Sequence, residues 1–304
     1  MDETVVVTGA FSYTGKYATR LLLQRGYRVR TLTSHPEGAG EFGDKVAAFP
    51  YNFDEPQELG RALTGASTLI NTYWVRFPRG AMTFEKAVEN SRRLIAAAVQ
   101  AGVRRVVHVS IANPSLDSPL GYYRGKAQVE ELVRKSGLSY TIVRPTVIFG
   151  TEDILINNIA WCVRHLPVFG IPGDGRYGIR PIYVEDMARL LVDEAAAQQN
   201  RVINAVGAET LTFEELVRLI ARAVGRPVRL THMPKFAAYL STLFMGWWLN
   251  DVVLTWEEYA GLMTNLLAPD GPAVGPTSLT RWLAENAERV GREYASEVAR
   301  HYTK

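Results

Sequence analysis

The sequence has a single cysteine, Cys162, so no internal disulfide can form, and a reducing compartment suits the chain. Its five histidines are scattered without metal-ligand spacing, and one cysteine cannot complete a structural zinc site. Charge of one sign is missing too. The balance of 34 Lys and Arg against 31 Asp and Glu leaves +3, with no basic cluster of the kind a dedicated nucleic-acid surface needs. With 47% hydrophobic and 21% charged residues, neither a disordered tail nor a collagen-like fibre fits. A secretory leader pattern is lacking: Met1, Asp2 and Glu3 are acidic where a leader would be basic, so a cytoplasmic location is expected. What remains is an ordinary globular composition over 304 residues, enough for about two domain-sized units with a core that needs no staple.

One apolar run, residues 236–256, holds Asp251 as its only charge. It approaches spanning length, but Ser241, Thr242, Asn250 and Asp251 make it a poor membrane span. It reads as a helix covering a pocket or a subunit interface, as in a homodimer, ahead of a monotopic membrane contact.

Strands and helices alternate through the first half. Residues 4–8 (TVVVT), 27–33 (YRVRTLT), 45–51, 67–72, 105–110 (RVVHVS) and 140–144 (YTIVR) read as strands. Residues 15–25, 84–100 and 126–135 carry helical spacing and stop at Gly26, Gly102 and Gly137. That alternation implies a Rossmann-type, doubly wound parallel sheet with helices on both faces. A dinucleotide-binding domain is expected over 1–150, with segments near 180–206 returning to it. A smaller, mostly helical C-terminal substrate region is expected over 151–304. In it, Thr212 and Glu215 form a capping box for a helix over 210–225, residues 202–206 read as one more strand, and 279–301 read as the last helix.

The first strand runs into Thr8-Gly9-Ala10-Phe11-Ser12-Tyr13-Thr14-Gly15. Gly9 permits a tight turn, Gly15 lets helix and strand pack closely, and small Ser12 fills the middle position. The helix N-terminus behind them offers N–H groups to a pyrophosphate, so Gly9, Phe11, Ser12, Tyr13, Thr14 and Gly15 are the candidate phosphate-binding residues. Two glycines six apart are weak evidence alone; their place between first strand and first helix is what counts. The second strand ends in Thr33, Ser34 and His35, where NAD-binding chains carry a carboxylate for the ribose hydroxyls. Without that carboxylate a 2′-phosphate is not repelled, which leans toward NADP, with NAD still open.

Ser110 ends the fifth strand, and Tyr122 and Lys126 follow as Y-x-x-x-K. Residues i and i+4 share one helix face, so both heads reach one site. A phenol titrates near 10, and lowering it by about 3 units takes roughly 4 kcal/mol, which a neighbouring ammonium and a cationic nicotinamide would supply. Tyr122 could then trade a proton with a substrate oxygen, with Ser110 donating to the same oxygen. Tyr123 is the rival acid, at i+3 spacing from Lys126.

The segments TGAFSYTG, VVHVS, YYRGK, SYTIVRPTVIFG, PIYVEDMARLL and INAVGAETLTFEELVRLI together resemble the short-chain dehydrogenase/reductase superfamily in its extended and atypical branches. Within these the chain is similar to bacterial relatives of the complex I cofactor-binding accessory subunit. The resemblance implies an NAD(P) site in which Gly9, Ser12 and Gly15 line the phosphates. It further implies that Asn52 and Phe53 flank the adenine, that Thr72 and Tyr73 lie near the ribose, and that Pro145, Thr146 and Val147 lie by the nicotinamide. Asn90 falls where extended members keep an asparagine on the central helix. Two functions follow as expectations. One is an NAD(P)-dependent oxidoreductase or epimerase/dehydratase acting on a small carbonyl or a sugar nucleotide, with Arg176 and Arg180 as candidates for a diphosphate. The other is a redox-inert cofactor-binding sensor or assembly protein.

Overall fold

A run of β-branched residues that alternates with nothing polar must be covered on both sides, and TVVVT is: every residue of β1 (Thr4–Thr8) is buried. The structure is a computed structural model, and it describes residues 3–37 and 40–298. After β1 come α1 (Tyr13–Gln24), β2 (Arg28–Thr33), β3 (Val46–Pro50), α2 (Pro56–Leu63), β4 (Ala66–Asn71), α3 (Phe84–Gln100), β5 (Arg105–Val109), α4 (Gly121–Lys135) and β6 (Ser139–Pro145). Then follow β7 (Ile148–Phe149), α5 (Leu155–His165), β8 (Val168–Pro172), β9 (Gly178–Ile179), β10 (Ile182–Tyr183), α6 (Val184–Ala195) and β11 (Arg201–Ala205). The chain goes on through β12 (Leu211–Thr212), α7 (Phe213–Ala223), β13 (Arg229–Met233), α8 (Lys235–Leu249), α9 (Trp256–Met263) and α10 (Leu279–Asn286).

The main sheet has seven parallel strands in the order β11-β6-β5-β4-β1-β2-β3. The chain winds outward from β1 through β2 to β3, then restarts at β4 on the other side of β1. That reversal opens a crevice at the carboxyl ends of β1 and β4, where sheets of this kind bind ligands. On one face Val6, Leu69, Val106 and Ile142 pack with Leu59 of α2, Leu94 of α3 and Val129 of α4. The opposite face is covered by α1 and α6, which pack on each other. There the buried Arg105 donates from Nε to the Glu194 carbonyl at 2.7 Å and from a terminal nitrogen to Thr141 Oγ1 at 2.6 Å, and Thr141 Oγ1 donates to the Glu194 carboxylate at 2.8 Å. Such a network ties α6 to the sheet because removing one partner would strand a buried charge.

The chain divides at Pro145. Residues up to it, together with Val184–Ala205, make the sheet unit; Thr146–Tyr183 and the residues from Val206 onward make a second. The second unit has its own core, in which Phe149, Ile156, Ile171, Phe213, Leu216 and Trp282 are buried. Among the described residues only two-stranded pieces accompany its helices: β10–β7, β12–β9 and β13–β8. Thr212 and Glu215 cap α7 reciprocally, at 3.2 and 2.8 Å.

The last helix departs from expectation. Instead of running over 279–301 it ends at Asn286, and 299–301 lie outside the described residues. Just beyond Asn286, Arg289 and Val290 still donate to the Asn286 carbonyl, but the N–H groups of Gly291, Ala295, Glu297 and Val298 bond to side chains instead. Ala295 donates to Asn158 Oδ1 at 2.8 Å, and Glu297 and Val298 donate to the Asp251 carboxylate at 3.0 and 2.9 Å.

Candidate functional site

At the crevice, Gly9 has φ +66°, a left-handed conformation that suits glycine. Its N–H donates to the Leu32 carbonyl at 2.8 Å, and its carbonyl accepts from the Ser12 N–H at 2.9 Å. Gly15 is dictated by close approach: a Cβ there would lie 2.1 Å from the Gly9 carbonyl oxygen. Ser12 is the N-cap of α1, and its hydroxyl is turned into the loop, donating to the Gly9 carbonyl at 2.6 Å. The Ser12 hydroxyl thus folds back onto the turn while the residue stays exposed. Behind it the first turn of α1, Tyr13, Thr14 and Gly15, presents N–H groups that have no acceptor within the helix. A glycine turn packed this closely against a helix N-terminus fits a pyrophosphate. Phe11 stacks on Phe42 with ring centres 6.4 Å apart, so the turn is braced by the segment after β2.

Across the crevice Thr72 meets the same turn. Its N–H donates to Thr8 Oγ1 at 2.6 Å and its hydroxyl to the Thr8 carbonyl. Tyr73 and Phe53 are both buried, with ring centres 4.9 Å apart, and Tyr51 stacks on Phe53 at 5.1 Å. The Tyr73 hydroxyl accepts from Asn90 Nδ2 at 2.9 Å, and burial raises its phenol against that bond. Asn52 is half-buried at the edge of this cluster. Phe53 and Tyr73 therefore belong to the core, and their rings bear on each other.

At the end of β2, Thr33 is buried and its hydroxyl accepts from the His35 N–H at 3.2 Å, while Ser34 and His35 are exposed. Arg30 is turned away and donates to the Thr64 carbonyl at 2.8 Å. An acid that the sequence reading passed over, Glu41, is held by Arg20 at 2.6 Å.

Ser110 is buried at the end of β5, where its N–H donates to the Val143 carbonyl at 2.7 Å. Lys126 comes to the same place from α4 and donates from Nζ to the Val109 carbonyl at 2.9 Å. It is 3% exposed, and burial pushes its ammonium down to about 7 while the Glu130 carboxylate works the other way. Glu130 is itself buried, forked by Arg144 at 2.8 and 2.6 Å and reached by Arg134 at 2.8 Å. Tyr122, half-buried on the same helix face, lies edge-on to Trp74 and Phe84 with ring centres 5.9 and 5.8 Å away. The rival Tyr123 is buried, only 3% exposed.

Two residues at this site escaped the sequence reading. Trp74 covers the face of α4 that carries Tyr122 and Lys126: the Lys126 Nζ is 4.8 Å from its ring centre, and a Cβ on Gly125 would touch the indole at 2.8 Å. The available signal was its position just after the fourth strand, beside Thr72 and Tyr73. His108 is fully buried beneath the site, with Nδ1 3.2 Å from Asn71 Nδ2. Burial, then the nearby Lys126 charge, holds it well below the usual histidine range.

Pro145 ends β6, and its carbonyl accepts from the Ala112 N–H at 2.8 Å. Thr146 and Val147 begin the second unit, where the Thr146 hydroxyl donates to the Arg180 carbonyl. Arg180 is engaged: its guanidinium donates to the carbonyls of Pro269 at 2.9 Å and Gly271 at 3.0 Å. Arg176 is exposed. Among the described residues, no three His, Cys, Asp or Glu side chains converge as metal ligands, and no helix is long and apolar enough to cross a membrane.

Comparison with known proteins gives a family and a fold. The NmrA-like family model matches residues 1–266. The mitochondrial NADH dehydrogenase (ubiquinone) 1 alpha subcomplex subunit 9 of Arabidopsis thaliana is 26% identical over 239 residues, covering 75% of this chain and 60% of that protein. The chain thus spans less than two thirds of that relative's length. Among solved structures, Citrobacter sp. triphenylmethane reductase complexed with NADP(H) superposes with a TM-score of 0.76 at 16% identity, covering 93% of this chain and 99% of that one. An NADPH-dependent quinone oxidoreductase of Escherichia coli, complexed with NADPH, gives 0.74 at 21%, covering 93% and 98%. At these identities the structural likeness is one of fold.

Proposed function

Because the chain belongs to the NmrA-like family, whose members share an extended short-chain dehydrogenase/reductase fold that binds NAD(P), we propose that it is an NADP(H)-dependent oxidoreductase for a small carbonyl compound. The Gly9–Gly15 turn and the first turn of α1 hold the pyrophosphate, with Thr72 facing them across the crevice. Thr33, Ser34 and His35 leave the adenosine 2′-position without an opposing carboxylate. NADP(H) supplies the hydride when bound.

The observation that carries the reading is the shared face of Tyr122 and Lys126 on α4, with the Lys126 ammonium buried and 2.9 Å from the Val109 carbonyl. In its charged form Lys126 favours negative charge on a phenol oxygen presented from the same helix face, so the Tyr122 hydroxyl can give its proton to a carbonyl oxygen and take it back in the reverse direction. Ser110 donates to the same oxygen. Trp74 and Phe84 keep the Tyr122 ring in place and keep water from it. A carbonyl is favoured over a sugar nucleotide because one of the two candidate arginines, Arg180, is spent on the carbonyls of Pro269 and Gly271. The cofactors named for the triphenylmethane reductase and the quinone oxidoreductase support the choice of NADP(H).

NADPH and NADH oxidation against a panel of aldehydes, ketones and quinones tests this. Tyr122→Phe should lower turnover by about 10²–10⁴, the usual weight of a general acid, with little change in cofactor affinity. Full activity in that variant would end the assignment. A second reading, a redox-inert cofactor-binding subunit, is supported by the likeness to the Arabidopsis complex I protein and by the exposed aromatic face of α8. It would be favoured by tight NADPH binding with no turnover on any carbonyl.

A further inference from the structure

α8 turns an uncharged aromatic face to solvent. Phe236, Leu240, Leu243, Phe244, Trp247 and Trp248 recur at i, i+4, i+7, i+8, i+11 and i+12, one side of a helix of 3.6 residues per turn. All six are exposed, Trp247 to 78% and Phe236 to 72%. Trp256 at the start of α9 extends the patch, its ring 5.3 Å from Tyr239. The opposite side of α8 is already committed: Ala238 and Gly246 are buried, and Met245 Sδ lies 3.9 Å from the buried Cys162 Sγ. The exposed side chains offer roughly 1,000 Å² of apolar surface. That exceeds the several hundred Å² of the largest patch on a typical monomer and matches the ~800 Å² that each partner brings to a standard interface.

We propose that this face docks a second copy of the chain, α8 against α8 across a two-fold axis. Near such an axis a residue meets its own counterpart, so a charge would face its like. Between Lys235 and Asp251 the stripe carries no charge, and the Asp251 carboxylate is taken by the N–H groups of Glu297 and Val298. Polar groups on the helix are no obstacle. Ser241 donates to the Ala238 carbonyl and Thr242 to the Tyr239 carbonyl, each at 2.7 Å, so covering them strands no donor. Glu257 and Glu258, beside Trp256, oppose an anionic lipid surface, which wants Lys and Arg around an apolar face. Trp247, the most exposed residue of the stripe, is the expected anchor. This proposal is independent of the catalytic reading.

Sedimentation velocity of the full chain from 1 to 100 µM tests it. The expected species is twice 33.8 kDa, dissociating in the low micromolar range or below. Trp247→Glu should weaken the dimer at least 100-fold while leaving the circular-dichroism spectrum and NADPH titration unchanged, and Leu240→Glu should act in the same direction. Leu116→Glu, at an exposed leucine outside α8, should leave the dimer intact. A parent that stays monomeric at 100 µM would overturn the proposal, as would a dimer that survives both α8 variants. So would a monomer that floats with phosphatidylcholine vesicles, which would give the face to lipid instead.

Discussion

The Lys126 ammonium sits 4.8 Å from the centre of the Trp74 ring and 2.9 Å from the Val109 carbonyl oxygen, one helical turn beyond Tyr122. Burial, offset only in part by the Glu130 carboxylate, leaves this amine poorly solvated and its proton correspondingly loose. Folding therefore becomes sensitive to pH through one residue.

Below about pH 7 Lys126 is charged in both folded and unfolded chains, and the burial cost is present in full. Between about 7 and its ordinary value of 10.5, the unfolded chain holds a proton that the folded chain does not. Stability conferred through this residue therefore rises with pH across that window. Lys126→Met removes the titration. The variant should be more stable than the parent at pH 6, by about 1–4 kcal/mol, and the advantage should shrink toward pH 10. Thermal unfolding of both proteins at five pH values decides it; an offset that stays constant with pH would mean that the amine is well solvated.

Gly125 makes the Trp74 contact testable without touching either reactive residue. A Cβ there would press on the indole at 2.8 Å, and the indole is backed by Phe84, whose ring stacks on it with centres 6.2 Å apart. Gly125→Ala should cost about 1–3 kcal/mol by overpacking. Gly60→Ala, in α2, meets nothing within 4 Å and should gain about 0.5–1 kcal/mol from its better helix propensity. Urea midpoints that moved in the same direction for both would contradict this account of Trp74.

The sheet could be read from the chain because β-branched runs such as TVVVT and RVVHVS leave little choice when buried on both faces. The glycine turn was legible because Gly9 and Gly15 answer to backbone geometry, which sequence spacing encodes. Trp74 was not legible, since nothing in a loop residue's identity says which helix its ring will cover. The resemblance sets Phe53 and Tyr73 beside a ligand, and the structure packs their rings 4.9 Å apart in the core; an aromatic at a strand end serves either purpose. The last helix was overextended because charged residues after Asn286 keep helical spacing, whereas Asn158 and Asp251, far away in sequence, capture the backbone there.

Gly15→Ala should reduce NADPH affinity at least tenfold, because its Cβ would lie 2.1 Å from the Gly9 carbonyl oxygen and the turn must open to admit it. In the parent, NADPH should bind at least as tightly as NADH, since Ser34 and His35 are exposed where a carboxylate would select NAD. Calorimetric titration of both cofactors into both proteins is the measurement. Clearly tighter NADH, or unchanged NADPH affinity in the variant, would remove these residues from the cofactor site.

His108 should be neutral and carry its proton on Nε2. The Tyr73 N–H can only donate, and it lies 3.1 Å from Asn71 Oδ1, which also accepts from Thr8 Oγ1 at 3.2 Å. That fixes the amide, so its Nδ2 donates to His108 Nδ1 at 3.2 Å, and Nδ1 has no proton. His108 Nε2 has no hydrogen-bond partner among the described residues, so a positive charge on the ring would be uncompensated. Burial and the Lys126 charge accordingly depress its titration well below 6.5. As pH falls through 6.5 the unfolded chain takes up a proton that folded His108 refuses, and stability drops. His108→Leu should flatten that loss by up to one proton, about 1.4 kcal/mol per pH unit. Nitrogen-15 spectra of the parent should show an unprotonated Nδ1 that does not titrate from pH 8 to 5.5. Asn71→Asp, which replaces the donor with an acceptor, should move the proton to Nδ1 or charge the ring. A parent ring that titrates near 6.5 would show that the Tyr73–Asn71–His108 chain does not hold.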